Sequence, residues 1–130
     1  AATPAPGEAA EGSPVNNASL VLRVAWGRAC VLFTGDIEEA AQQALLDAGR
    51  AAIDCPVLKA PHHGSAKLLP AFVEAVDPEW VTVSSGRNAF GHPSATALAL
   101  FGRAGATVLR TDRLGDIVLE MGREGSVRRR

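Results

Sequence analysis

Apolar residues in this chain fall into short runs separated by glycine, proline and polar clusters, and the spacing within the runs alternates between two periods. Residues 19–24 read as a strand, Gly27-Arg28 as a turn, and residues 29–34 as a second strand. The second run is continuously apolar, which predicts burial on both faces. The short turn between the two predicts a hairpin. Ile37, Ala41, Ala44, Leu45 and Ala48 then mark one face of a helix that Gly49 ends. A third strand over residues 55–60 leads into Pro61-His62-His63-Gly64-Ser65. Leu68, Leu69, Phe72, Val73 and Val76 form a second helical face, stopped by Asp77-Pro78. Residues 80–84 read as a fourth strand. A third helix opens at Pro93 or Ser94, runs through Leu98, Phe101 and Ala104, and ends at Gly105. Residues 107–110 and 116–121 read as the last two strands, with a turn at Leu114-Gly115.

After the opening hairpin, strands and helices alternate. Strands joined by single helices run parallel through right-handed crossovers. The fold class is therefore α/β, a mixed sheet with helices packed against it. Residues 1–15, made of Ala, Pro, Gly, Glu, Thr, Ser and one Val, hold almost nothing to bury and read as a loop or disordered tail. Residues 16–122 form the folded body, and residues 123–130, ending Arg128-Arg129-Arg130, read as a solvated basic tail.

Composition narrows the function. With 47% hydrophobic and 21% charged residues, the 130-residue chain has the balance of one globular domain. Lys plus Arg total 13 against 14 Asp plus Glu, so the formal net charge is −1 and no global positive field gathers phosphates. No apolar run approaches the ~20 residues of a membrane-spanning helix, so the segment reads as soluble. It starts at Ala1 with neither Met nor a secretory pattern, and is expected to be a piece of a longer chain. The two cysteines, Cys30 and Cys55, both lie beside strand-like runs and are either buried thiols or a disulfide between neighbouring strands.

Parallel strands end at one edge of the sheet, where open α/β sheets place their sites. All three histidines, His62, His63 and His92, follow the ends of successive strands, and Asp36 follows the end of the one before. Each has a plainer reading. Asp36, with Glu39 three residues on, could cap a helix. His62 and His63 could be a polar loop, His92 could be turn chemistry before Pro93, and Ser65 and Ser94 could be caps. Taken together, a carboxylate and several imidazoles at one edge suit Zn²⁺ or Mn²⁺, and a carboxylate can bridge two such ions. Two ions could activate a water and clamp the oxygens of a displaced phosphate. Walker, GxGxxG and GxSxG patterns are absent from the sequence, which sets aside nucleotide-loop and serine-hydrolase chemistry. Two histidines and one aspartate fall short of a complete binuclear set, so the sequence carries half a site.

Residues 16–115 resemble the second half of a metallo-β-lactamase-fold domain, most closely the C-terminal domain of the competence-channel (ComEC) family of DNA uptake. The matching strings are Asn17-Ala18-Ser19-Leu20-Val21-Leu22, Leu32-Phe33-Thr34-Gly35-Asp36, Val57-Leu58-Lys59-Ala60-Pro61-His62-His63-Gly64-Ser65, Ser84-Ser85-Gly86-Arg87-Asn88, Gly91-His92-Pro93 and Arg110-Thr111-Asp112. The resemblance implies half of an αββα sandwich, a mixed sheet with helices on one face. It implies a metal-dependent phosphodiesterase or nuclease holding two divalent ions, Zn or Mn, in the complete domain. Asp36 corresponds to the bridging carboxylate, and one of His62 and His63, with His62 favoured, to the last metal ligand; these three carry the catalytic assignment. Ser65, Asn88 and His92 would lie near the substrate phosphate, His92 steadying it or protonating the leaving oxygen. The family's remaining ligands belong to an upstream HxHxDH motif that this sequence lacks.

The implied partners are single- or double-stranded DNA, the missing N-terminal half of the domain, and the membrane channel of the parent protein. The parent would be tethered to the cytoplasmic membrane with this domain on the outer side. Without its other half the segment is expected to be inactive and only marginally stable, aggregating or pairing with a second copy. A non-catalytic scaffold on the same fold, or a small-molecule phosphoesterase or lactonase, are the competing readings.

Overall fold

The computed structural model describes residues 12–130. The first eleven residues of the expected N-terminal tail lie outside the described residues. Pro14–Asn17 form a single helical turn, α1, opened by the Ser13 hydroxyl, which accepts from the Asn16 amide. The hairpin follows as β1 (Leu22–Trp26) and β2 (Ala29–Phe33), antiparallel, with Leu22 opposite Phe33 and Trp26 opposite Ala29. The strand therefore starts later than residue 19. Residue 19 instead turns its hydroxyl to accept from the Asp36 amide.

From β2 the chain runs through α2 (Glu39–Ala48), β3 (Val57–Lys59), α3 (Pro70–Val76), β4 (Trp80–Val83), α4 (Ala95–Arg103) and β5 (Thr107–Arg110). Strands β2 to β5 pair in parallel and in chain order, giving a five-stranded mixed sheet, β1-β2-β3-β4-β5. Because order in the sheet follows order in the chain and crossovers are right-handed, the helices share one face. There Leu32, Leu58, Val81 and Val83 pack against Ile37, Phe72, Val76 and Phe101, all essentially inaccessible to water. This is the expected α/β class, consistent with half of an α/β sandwich.

Three expectations change. Strand β2 is not buried on both faces, since Phe33 is 45% exposed and Val31 only partly covered. Helices cover one face alone, and Leu22, Val24 and Trp26 of β1 are exposed with Phe33 on the other. The inward face of α2 is rotated from the apolar spacing: Ala44 and Ala48 are exposed while Gln42 is fully buried. Gln42 tolerates burial because its amide donates to the Lys67 carbonyl (3.0 Å) and accepts from the Leu69 amide (2.7 Å). The basic C-terminal tail is not merely a solvated end. After a short helix α5 (Thr111–Leu114), Leu119–Met121 (β6) pairs antiparallel with Val127–Arg129 (β7), and Arg128 bonds Glu120 across the ladder.

Cys30 and Cys55 form a disulfide with Cα atoms 5.2 Å apart, tying β2 to the segment entering β3. Among the described residues no helix is long and apolar enough to cross a membrane.

Candidate functional site

Each loop at the C-terminal edge of the parallel strands is held by local chemistry. Beyond β2, Gly35 adopts a left-handed conformation (φ +55°) and a Cβ there would lie 2.7 Å from that of Ser19. The close approach lets the Ser19 hydroxyl take the Asp36 amide at 3.1 Å. Asp36 does not cap α2. The helix's first amides are satisfied from a distance, by Asn17 Oδ1 accepting from Glu38 and Ala41 at 3.0 and 3.1 Å. The Asp36 carboxylate is thereby left for other partners.

Beyond β3, His62 (φ 49°, ψ 47°) and His63 (φ 56°, ψ 27°) are consecutive non-glycine residues in the left-handed region. Such a backbone costs ~1–2 kcal/mol per residue and concentrates at functional sites. The turn is anchored by the His62 amide donating to the Gly35 carbonyl (3.0 Å), which also accepts from Lys59 Nζ at 2.7 Å. Gly64 (φ +83°) faces Pro93 so closely that an added Cβ would sit 2.6 Å from the proline Cβ. The Ser94 amide donates to the Gly64 carbonyl (2.8 Å), clamping the loop after β4 onto the loop after β3. Ser94 caps α4, as expected, accepting from the Ala97 amide.

The clamp brings the imidazoles together. His62 and His92 have ring centroids 5.2 Å apart, and His62 and His63 6.3 Å. His63 Nδ1 lies 2.7 Å from the Ser84 carbonyl oxygen, and its Nε2 lies 3.3 Å from Asp36 Oδ1. A carbonyl only accepts, so Nδ1 carries the proton. Nε2 is then the ring nitrogen left beside the Asp36 carboxylate. A carboxylate oxygen and an imidazole nitrogen at this separation suit a shared cation, either a proton or a metal ion that takes them as adjacent ligands. Asp36 and His63 thus fit as two donors to a divalent ion. Among the described residues no three His, Cys, Asp or Glu side chains converge as a full metal site.

His62 has a different partner. Its Nδ1 lies 3.4 Å from Oε2 of Glu38, a carboxylate that is 1% exposed and also 3.4 Å from Lys67 Nζ. Burial raises the Glu38 carboxyl, but the Ser13 amide and the Lys67 ammonium outweigh it and hold the group below its ordinary value. Lys59 is half-buried, and that burial lowers its ammonium while Asp36 opposes the shift. Burial also lowers the His92 imidazole, reinforced by His62 and His63 and opposed by Asp36, so His92 is neutral at neutral pH.

Asn88 spends its amide within its own loop, Oδ1 accepting from the Phe90 and His92 amides and Nδ2 donating to the Gly86 and His92 carbonyls. Ser65 is buried, its hydroxyl accepting from the Lys67 amide. Sequence reasoning passed over Glu38, Lys59 and Phe90. A charge inside the third apolar run was a readable sign for Lys59; Glu38, beside the exposed Glu39, gave none.

The chain is 36% identical over 112 residues to Competence protein ComA of Neisseria gonorrhoeae, a match covering 85% of this chain and 16% of the relative. It is 35% identical over 112 residues to ComE operon protein 3 of Bacillus subtilis, covering 85% of this chain and 14% of the relative. The chain therefore spans about one sixth to one seventh of the curated relatives it matches. No family model matches the chain, and no solved structure matches it.

Proposed function

We propose that this chain is the part of a metal-dependent phosphodiesterase or nuclease domain that carries Asp36 and the histidine pair, and that it acts in DNA uptake. The observation that carries the reading is the Asp36–His63 pair, with a carboxylate oxygen and an imidazole nitrogen 3.3 Å apart. Likeness to two competence proteins through 85% of the chain supports the biological setting.

In this reading Asp36 and His63 hold a divalent ion, Zn²⁺ or Mn²⁺. His63 is taken as the ligand because its Nε2 lies 3.3 Å from Asp36 Oδ1, while His62, with Nδ1 3.4 Å from the buried Glu38 carboxylate, keeps its other nitrogen for a second ion. A bound ion would supply Lewis acidity and lower the pKa of a bound water. The chain's own residues do the rest. Lys59 and the Gly35 carbonyl hold the Asp36 loop. Neutral His92 hydrogen-bonds a phosphate oxygen and can relay a proton. The remaining ligands, from an HxHxDH segment elsewhere in the parent protein, would come with the layer that covers the open sheet face of Leu22, Val24, Trp26 and Phe33. The parent is a membrane-tethered channel protein, with this domain on its outer side.

The test is to read the coding sequence upstream of Ala1 for an in-frame HxHxDH motif and to assay the rejoined domain on labelled DNA with Mn²⁺ or Zn²⁺. Metal-dependent cleavage lost in Asp36→Ala and His63→Ala supports the reading. A rejoined domain that holds metal and binds DNA without cutting it would make this a scaffold.

A further inference from the structure

The loop after β4 presents Phe90 to solvent at 82% exposure, the largest value among the exposed large apolar side chains of the described residues. It is not part of the open sheet face, whose exposed residues belong to β1 and β2. A ring so exposed contributes little burial to folding, yet its position is tightly set. Asn88 Oδ1 accepts from the Phe90 amide at 3.1 Å and from the His92 amide at 3.0 Å, and Ser85 Oγ donates to the His92 carbonyl at 3.0 Å. The Phe90 ring stacks on the His92 imidazole, centroids 5.8 Å apart and planes 18° from parallel. Together with His63, Ser85, Gly86 and Asn88, these two rings line a cavity of about 230 Å³ at the edge where Asp36 and the histidines meet.

We propose that Phe90 is a base-stacking platform, taking the face of a nucleobase from a single-stranded nucleic acid whose neighbouring phosphate lies at His63 and His92. This rests on the phosphodiester reading of the site and specifies its substrate. One face of the phenyl ring is occupied by His92 and the rest is open, so a base continues a stack already begun. Every base has a π-face, which makes such a platform tolerant of sequence. In a duplex those faces are already stacked on one another, so the platform selects unpaired strands. The chain has a formal net charge of −1 and so no net positive field to hold a backbone, and stacking on Phe90 adds grip beside the site.

The experiment measures binding of the 130-residue chain, with Mn²⁺ present, to three fluorescent probes: a short oligodeoxythymidine, an abasic backbone of the same length, and a blunt duplex. Base stacking of ~1–3 kcal/mol predicts roughly 5- to 150-fold tighter binding of the oligodeoxythymidine than of the abasic strand. Phe90→Ala should erase that preference while leaving the abasic affinity and the melting temperature unchanged, and Phe90→Trp should keep it. Equal wild-type affinity for thymidine and abasic strands overturns the proposal and leaves the phosphodiester reading standing. So does a Phe90→Ala variant that loses both affinities together with its melting temperature, because Phe90 would then be structural. A duplex whose binding depends on Phe90 as strongly overturns the selection for unpaired strands. No binding of any probe overturns this inference, whereas the phosphodiester reading stands or falls on cleavage by the rejoined domain.

Discussion

His63 Nε2 stands 3.3 Å from Asp36 Oδ1, while the other nitrogen of the same ring is committed to the Ser84 carbonyl at 2.7 Å. The backbone is left-handed at both histidines, a conformation non-glycine residues adopt only where surrounding contacts hold it.

The facing acceptors predict cation binding that stabilises the fold. Zn²⁺ or Mn²⁺ should raise the melting temperature of the chain, by an amount corresponding to about 2.7 kcal/mol when free metal is a hundredfold above its dissociation constant. Asp36→Ala and His63→Ala should each remove the shift, and Ser65→Ala should keep it. A shift of equal size in the Asp36 and His63 variants would place the ion elsewhere.

Left-handed backbone at His63 predicts an order of stability among its variants. His63→Gly relieves the Cβ penalty that His63→Ala retains, so urea unfolding should find the glycine variant more stable than the alanine variant by ~1 kcal/mol. The reverse order would mean that the turn relaxes to another conformation when the imidazole is gone.

Gly64 is expected to be intolerant of a side chain. A Cβ would sit 2.6 Å from the Pro93 Cβ on a backbone already at φ +83°. Gly64→Ala should cost ~2–4 kcal/mol and move the two loops apart. The His62 and His92 imidazole resonances, measured by NMR, should shift together; unchanged resonances would contradict the clamp.

The open sheet face predicts self-association. Leu22, Val24 and Trp26 are each at least half exposed beside Phe33, and contiguous apolar surface of this kind drives contact between copies. Sedimentation velocity should give an average mass that rises with concentration. Val24→Thr combined with Trp26→Gln should flatten that rise. A sharp, concentration-independent melt of a monomer would refute the expectation.

Acid should weaken the junction of β5 and α5. The Arg110 guanidinium bonds both carboxylate oxygens of Asp112 at 3.0 and 2.8 Å and holds that carboxyl below its ordinary range. The unfolded chain binds this proton near pH 3.9, so the stabilisation is full above that value and is lost as pH falls through the lower folded-state value. Unfolding midpoints across that acid range should fall less steeply in Asp112→Asn than in the wild type.

Much of the scaffold was legible because it rests on local rules. Gly49 and Ser94 bound their helices where spacing and capping chemistry place them, and the Gly27-Arg28 turn does close a hairpin. The rotation of α2 was not legible, because a glutamine reads as a surface residue until Lys67 and Leu69 bring it their backbone partners. Nor was the release of Asp36 from capping duty, which depends on Asn17 some twenty residues earlier in the chain. The C-terminal arginines read as solvent-facing until β6 supplies a ladder and Glu120 a counter-charge.

What the sequence determined by itself is the order of strands and helices, and hence that Asp36, the histidine pair and His92 end on one edge. Hydrophobic period and glycine placement are properties of neighbouring residues and survive without knowledge of the fold. Tertiary structure alone decided which ring faces Asp36, which faces Glu38, and that Phe90 stacks on His92. Those pairings depend on distances between loops far apart in the chain, and only packing sets such distances.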